Sequence, residues 1–117
     1  MELLVAVVDD TDRMEEILAA LLEVGVTGAT LIDSRGMGRI LSQELPVFAG
    51  LQTLIGRSRP QNQTLFSVIE DPERVDRAVE VIESICGRFA SPATGIVFTV
   101  PVHRVVGLAP GLGGDPT

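Results

Sequence analysis

Ser67-Val68-Ile69-Glu70-Asp71-Pro72-Glu73-Arg74-Val75 decides the fold, because it repeats an earlier stretch. It follows Ala6-Val7-Val8-Asp9-Asp10-Thr11-Asp12-Arg13-Met14 at a constant offset of 61 positions. Each copy reads as the end of an apolar strand, an acidic pair, and the start of a helix. A chain built from two such halves has its architecture largely chosen.

Outward from the first copy, Leu3 to Val8 is a continuous Val-rich run that reads as a buried strand. Asp12, with Glu15 three residues on, has the form of a helix cap and capping-box partner. Met14, Ile17, Leu18, Leu21 and Leu22 then recur at helical spacing, and Gly25 is placed to end the helix. Thr27 to Asp33 reads as a second strand. In the second copy Pro72 falls just inside a helix start, where its missing N–H does no harm. Val75, Ala78, Val79, Ile82, Ile85 and Cys86 form the apolar stripe, and Gly87 lies past its end. A last strand runs from Ile96 to about Val106, with Pro101 marking a bend or an edge position. Right-handed crossovers turn this order into an α+β, ferredoxin-like βαββαβ fold, with one antiparallel sheet and both helices on one face. The apolar character of Leu3 to Val8 and Ile96 to Val102 leaves the other face in need of cover, and a second copy of the chain is the natural one.

The 117 residues fit a single domain, 1–108, followed by a Gly- and Pro-rich tail, 109–117, that reads as flexible. Between the middle strands lies a segment of about 25 residues, 35–62, far longer than a hairpin turn, and such loops are commonly functional. Leu45 to Leu51 and Leu54-Ile55 make it too apolar to stand free in water, which implies a partner surface or a fold-back. At its entrance stands Arg35-Gly36-Met37-Gly38-Arg39. Glycines admit close backbone approach and arginines clamp phosphate or carboxylate, so this is a candidate anion site.

Composition removes several classes of function. Nine basic against sixteen acidic residues give a net charge of −7, and no Trp or Tyr is present, so neither a phosphate-backbone surface nor a stacking platform is expected. Cys86 is the only cysteine and His103 the only histidine, which excludes an internal disulfide and a CxxC site and offers a transition metal little. No apolar run is long enough to span a bilayer, and the N-terminal run meets two acids after Val8, so a cytoplasmic protein is expected. The pairs Asp9-Asp10 and Glu70-Asp71 invite an acid–base reading, yet both stand where negative charge favours a helix start. We therefore expect no enzyme.

The pattern as a whole resembles the PII-like signal-transduction family, the nitrogen-regulatory PII proteins and their divergent relatives. The resemblance rests on the duplicated order, on Arg35-Gly36-Met37-Gly38-Arg39 in place of the family's Lys-Gly-Phe-Gly-Arg at the base of the T-loop, and on Val100-Pro101-Val102 in the last strand. It implies a homotrimer that binds a small anionic ligand in clefts between subunits, most simply AMP or ADP as a regulatory ligand. It also implies a long loop that docks on a transporter or an enzyme. Gly36, Gly38 and Arg39 match the loop base, and Gly87 to Gly95 takes the place of the B-loop, with Thr94 and Gly95 at its end. Arg35, Arg88 and Arg104 are the further cations that could converge on an anion. Other positions depart from the family pattern. Its metal-coordinating glutamine is Ile40 here, its B-loop lysine is Ile96, its late paired arginines align with Gly107 and Ala109, and no tyrosine exists to be uridylylated. These departures count against Mg-ATP and 2-oxoglutarate sensing. The competing readings are a ligand-free interaction module, a trimer resembling the CutA metal-tolerance proteins, an ACT-like amino-acid-binding domain and, more remotely, an RNA-recognition fold.

Overall fold

The structure, a computed structural model, describes residues 1–37, 40, 62–87 and 95–108. Its elements run β1 (Glu2–Val8), a 3-10 turn (Thr11–Arg13), α1 (Met14–Glu23), β2 (Thr30–Ser34), β3 (Asn62–Ile69), α2 (Pro72–Cys86) and β4 (Gly95–Pro101). The strands form one sheet in the order β2-β3-β1-β4, with every neighbouring pair antiparallel. This is the ferredoxin-like α+β arrangement that the repeat demands.

Alternation along the strands sorts the side chains onto two faces. Leu4, Ala6 and Val8 of β1 and Leu65 and Ile69 of β3 join Met14, Ile17 and Leu21 of α1 and Val75, Ala78 and Ile82 of α2 in one buried cluster. Leu22, expected in the α1 stripe, is 48% exposed, because it lies at the edge of the arc that Met14, Ile17 and Leu21 define. Partly buried Val79, Ile85 and Cys86 complete the α2 stripe as expected.

The two copies begin their helices with the same device. Asp10 Oδ1 accepts from Asp12 N–H at 3.2 Å, and Asp71 Oδ1 accepts from Glu73 N–H at 3.0 Å. Asp10, not Asp12, is therefore the capping residue. The first copy then passes through the 3-10 turn, with Arg13 N–H donating to Asp10 C=O, whereas Pro72 carries the second straight into the α-helix. At the far end of α1, Gly25 N–H donates to Leu22 C=O and Val26 N–H to Leu21 C=O, with Gly25 at φ +92°. This is a Schellman ending, closed by the buried pair Leu21 and Val26.

Two strand limits differ from the sequence expectation. β2 starts at Thr30 instead of Thr27, because Gly28 C=O is taken by the buried Ser67 hydroxyl at 2.6 Å and not by a strand ladder. β4 stops at Pro101, well short of Val106; one further backbone bond, Val102 N–H to Met1 C=O, follows before the chain bends away.

Removing the helices' partner face leaves the other face of the sheet largely apolar. Val5 pairs with both Phe66 and Phe98, so all three point to this side, as do Ile96, Val100 and Ile32. Ile96, Phe98, Val100 and Ile32 are 42–54% exposed, so among the described residues this face stands largely uncovered.

Two substitutions test these local accounts. Ser67→Ala leaves Gly28 C=O without its buried donor and is expected to lower unfolding stability by about 1–3 kcal/mol in urea titration. Gly25→Ala forces a side chain into left-handed backbone and sets a Cβ 2.9 Å from Arg74 Nε. It is expected to cost about 1–2 kcal/mol, read the same way.

Candidate ligand site at the loop end of the sheet

Antiparallel pairing carries the ends of β1 and β2 and the starts of β3 and β4 to the same end of the sheet. Ser34 is registered with Asn62, and Val8 with both Gln63 and Gly95. Across this end the chain therefore presents, in order, Arg35-Gly36 after β2, Asn62 opening β3, Asp9 after β1, and Gly95 opening β4. Positions about 60 residues apart in sequence become neighbours through sheet register alone.

A directed chain of hydrogen bonds runs through this end. The Ser34 hydroxyl is bonded to Asn62 Oδ1 and lies 2.8 Å from Thr64 Oγ1. With its one proton given to Asn62, Ser34 accepts from Thr64. Asn62 Nδ2 in turn donates to Asp9 Oδ1 at 3.4 Å. Donors thus point in sequence from Thr64 through Ser34 and Asn62 to the Asp9 carboxylate. Burial pushes the Asp9 carboxyl above its ordinary range, and the Asn62 amide offsets part of that shift. On the helix side of the same end, Gln63 Nε2 donates to Asp33 Oδ1 at 3.2 Å, so both of the last two registered pairs of β2 and β3 are tied by side chains.

The two glycines at this end differ in what they require. Gly95 has φ +133°, a backbone conformation that side chains disfavour, so glycine there is a conformational need. Gly36 has no such constraint, and a Cβ built on it meets Asn62 Nδ2 at 3.6 Å, an ordinary contact. Neither conformation nor crowding from the described residues accounts for glycine at position 36. Past it, Ile40 N–H donates to Gly36 C=O at 3.1 Å, a single helical turn at the start of the long segment.

Of the residues that the sequence singles out, Arg35, Gly36 and Gly95 lie at this end, the first two at the β2 edge and Gly95 at the β4 edge with β3 and β1 between, and Arg35 is exposed. Arg104 is exposed beyond the opposite end of β4, so one chain does not bring it here. Gly38, Arg39, Arg88 and Thr94 lie outside the described residues. The polar chain Thr64, Ser34, Asn62 and Asp9 was not anticipated. Asp9 reads in sequence as half of an acidic pair serving a helix start, but Asp10 alone does that. A usable signal was present, since Ser34, Asn62 and Thr64 are polar residues on the strand ends flanking the long segment.

Elsewhere the chemistry is plain. Among the described residues no group of three or more His, Cys, Asp or Glu side chains could hold a metal ion, and no helix is long and apolar enough to cross a membrane. Burial, and after it the negative charge of Asp10, push the Cys86 thiol up, and the side chain packs partly buried against the core. This end of the sheet holds hydrogen-bond donors and acceptors, the exposed Arg35 guanidinium and two glycines, groups suited to binding.

No curated protein sequence matches this chain. The family model for nitrogen regulatory protein P-II does, across residues 1–111, close to its whole length, and the four-stranded antiparallel sheet with two helices is the fold that such a match requires. The chain belongs to the nitrogen regulatory protein P-II family, whose members are regulatory proteins.

Proposed function

We propose that the chain is a cytoplasmic P-II-type regulator that binds a small anionic ligand, an adenine nucleotide such as AMP or ADP, at clefts between the subunits of a homotrimer. Ligand binding at the loop end of the sheet changes how the 35–62 segment engages a transporter or an enzyme. The observation that carries this reading is that Arg35-Gly36 and Gly95 stand at the same end of the sheet, on its two edges, where each borders a cleft that a neighbouring subunit would complete. Gly36 supports it further: a glycine that neither its conformation nor the described neighbours require leaves the backbone open to a ligand.

The trimer is supported by the uncovered sheet face. An apolar surface of this breadth is unusual on a lone small domain and is covered at low cost by copies of itself. A trimer also accounts for Arg104, which leaves the wrong end of its own sheet and would serve a ligand on a neighbouring subunit. Arg39 and Arg88, with Gly38 and Thr94, complete the ligand set in this reading. The 35–62 segment, with its apolar stretches, is the docking element.

Two measurements test the reading. Light scattering is expected to give three times the 12.4 kDa chain mass, and Phe98→Asp, which sets a charge on the uncovered face, is expected to yield monomers. A native monomer at micromolar concentration would overturn the trimer. Calorimetry is expected to show AMP or ADP binding, weakened about tenfold or more by Arg35→Ala or Arg39→Ala, since a hydrogen bond to a charged group contributes about 1.5–3 kcal/mol. No heat with any adenine nucleotide would overturn the ligand.

A further inference from the structure

We propose that Asp9 sets the charge preference of the loop-end site: its carboxylate, held by Asn62 on the strand end between β3 and β4, penalises nucleoside di- and triphosphates more than a monophosphate. The inference rests on the reading of this end as a nucleotide site and adds to it a rule for which phosphate ligand is taken.

The argument begins with what Asp9 does not do. It is not the helix cap, because Asp10 Oδ1 already accepts from Asp12 N–H. It is not the counterpart of Glu70 either, although the repeat puts them in equivalent positions. Glu70 is exposed, whereas Asp9 is half-buried and bonded to a side chain 53 residues away. Among the described residues the partner that its carboxylate shows is the neutral Asn62 amide, which satisfies one oxygen without cancelling the charge. Among the described residues the same Asn62 Nδ2 is the nearest neighbour that a side chain on Gly36 would have. On its other side, Asp9 directly follows Val8, which is registered with Gly95. Whatever lies across this end from Asn62 to Gly95 passes Asp9.

A carboxylate at such a point acts on ligands by their charge. Each further negative charge brought within about 6–8 Å of it is repelled, and partial burial keeps water and salt from screening that repulsion fully. At intermediate effective dielectric the penalty amounts to about three- to tenfold in affinity for each phosphate added. Arginines add an attraction that also grows with the ligand's charge, and Asp9 subtracts from that gain at each added phosphate. Selectivity here comes from a repulsive element built beside attractive ones.

The test uses the full chain and calorimetry with AMP, ADP and ATP, without metal, at pH 7.5 and fixed ionic strength, on the native protein, Asp9→Asn and Asp9→Glu. Asn is close to Asp in shape and still offers an oxygen to Asn62, and burial already disfavours the charge, so Asp9→Asn is expected to fold. Asp9→Glu keeps the charge and controls for side-chain changes at this position. Asp9→Asn is expected to gain on the native protein by about three- to tenfold more for ADP than for AMP, and by about as much again for ATP. Asp9→Glu is expected to keep the native spacing between the three affinities. If Asp9→Asn keeps that spacing too, Asp9 does not set the preference. Uniform weakening of all three by Asp9→Asn would make it a direct acceptor for a ligand N–H or O–H, which also overturns the proposal. Absence of binding by every protein would instead remove the nucleotide reading, and this inference with it.

Discussion

Two amphipathic helices share one face of a four-stranded sheet, and that single packing constraint governs the rest of the molecule. Ala6 on β1 and Ala78 on α2 are fully buried among Leu4, Ile17, Leu65 and Ile82, and these small residues let the helix layer sit close to the sheet. Emptying one of the large aliphatic positions would cost about 2–5 kcal/mol, a substantial fraction of the stability of a domain this size. Because the register cannot slip by one residue without exchanging faces, the burial of Leu4, Ala6 and Val8 also fixes which strand ends meet. The grouping of strand ends at the loop end of the sheet is thus a consequence of core packing on its middle.

The duplication explains both the economy of the design and the point where it was broken. Asp10 and Asp71 do the same work in both halves, each accepting from the N–H two residues on. Beside them, Asp9 and Glu70 have parted. The difference arises from topology, because the strand end carrying Asp9 faces the start of β3 at Asn62, while Glu70 follows β3 at the opposite end of the sheet, next to the start of β1. Two halves that match in sequence sit in different surroundings once they are joined, and the residue freed from a local duty is the one in position for a longer-range one.

This contrast marks what could be read from the chain beforehand. Both helix stripes, the proline at the α2 start, the Gly25 ending and the strand order follow from local periodicity and turn chemistry, and the structure has them all. Departures have two sources. Ser67 holds Gly28 from 39 residues away and shortens β2, whereas Asp10 takes the capping role through a local bond, two residues ahead of the position that the capping-box spacing points to. At the loop end, Arg35, Gly36 and Gly95 are carried to the same end of the sheet by a register that strand order implies. The Thr64-Ser34-Asn62-Asp9 chain depends on which side chains stand opposite each other, and no single segment of sequence contains that information. Gly36 and Gly95 look alike in sequence, and only the backbone angle tells conformational need from open access.

Charge segregation connects the loop to the body. All nine basic residues are arginines, and Arg35, Arg39, Arg57 and Arg59 fall in the 35–62 segment, which carries only Glu44 against them. The segment is therefore net positive while the chain as a whole is at −7, so the remainder is more acidic still. Opposite charge on two parts of one chain favours their approach, and an anion that took up the segment's arginines would weaken that attraction. In the proposed reading this competition would give the ligand a differential interaction with two arrangements of the same chain, the requirement for any ligand to shift between them. The acidity that argues against an electrostatic nucleic-acid binder would there be the competitor against which a small anion acts.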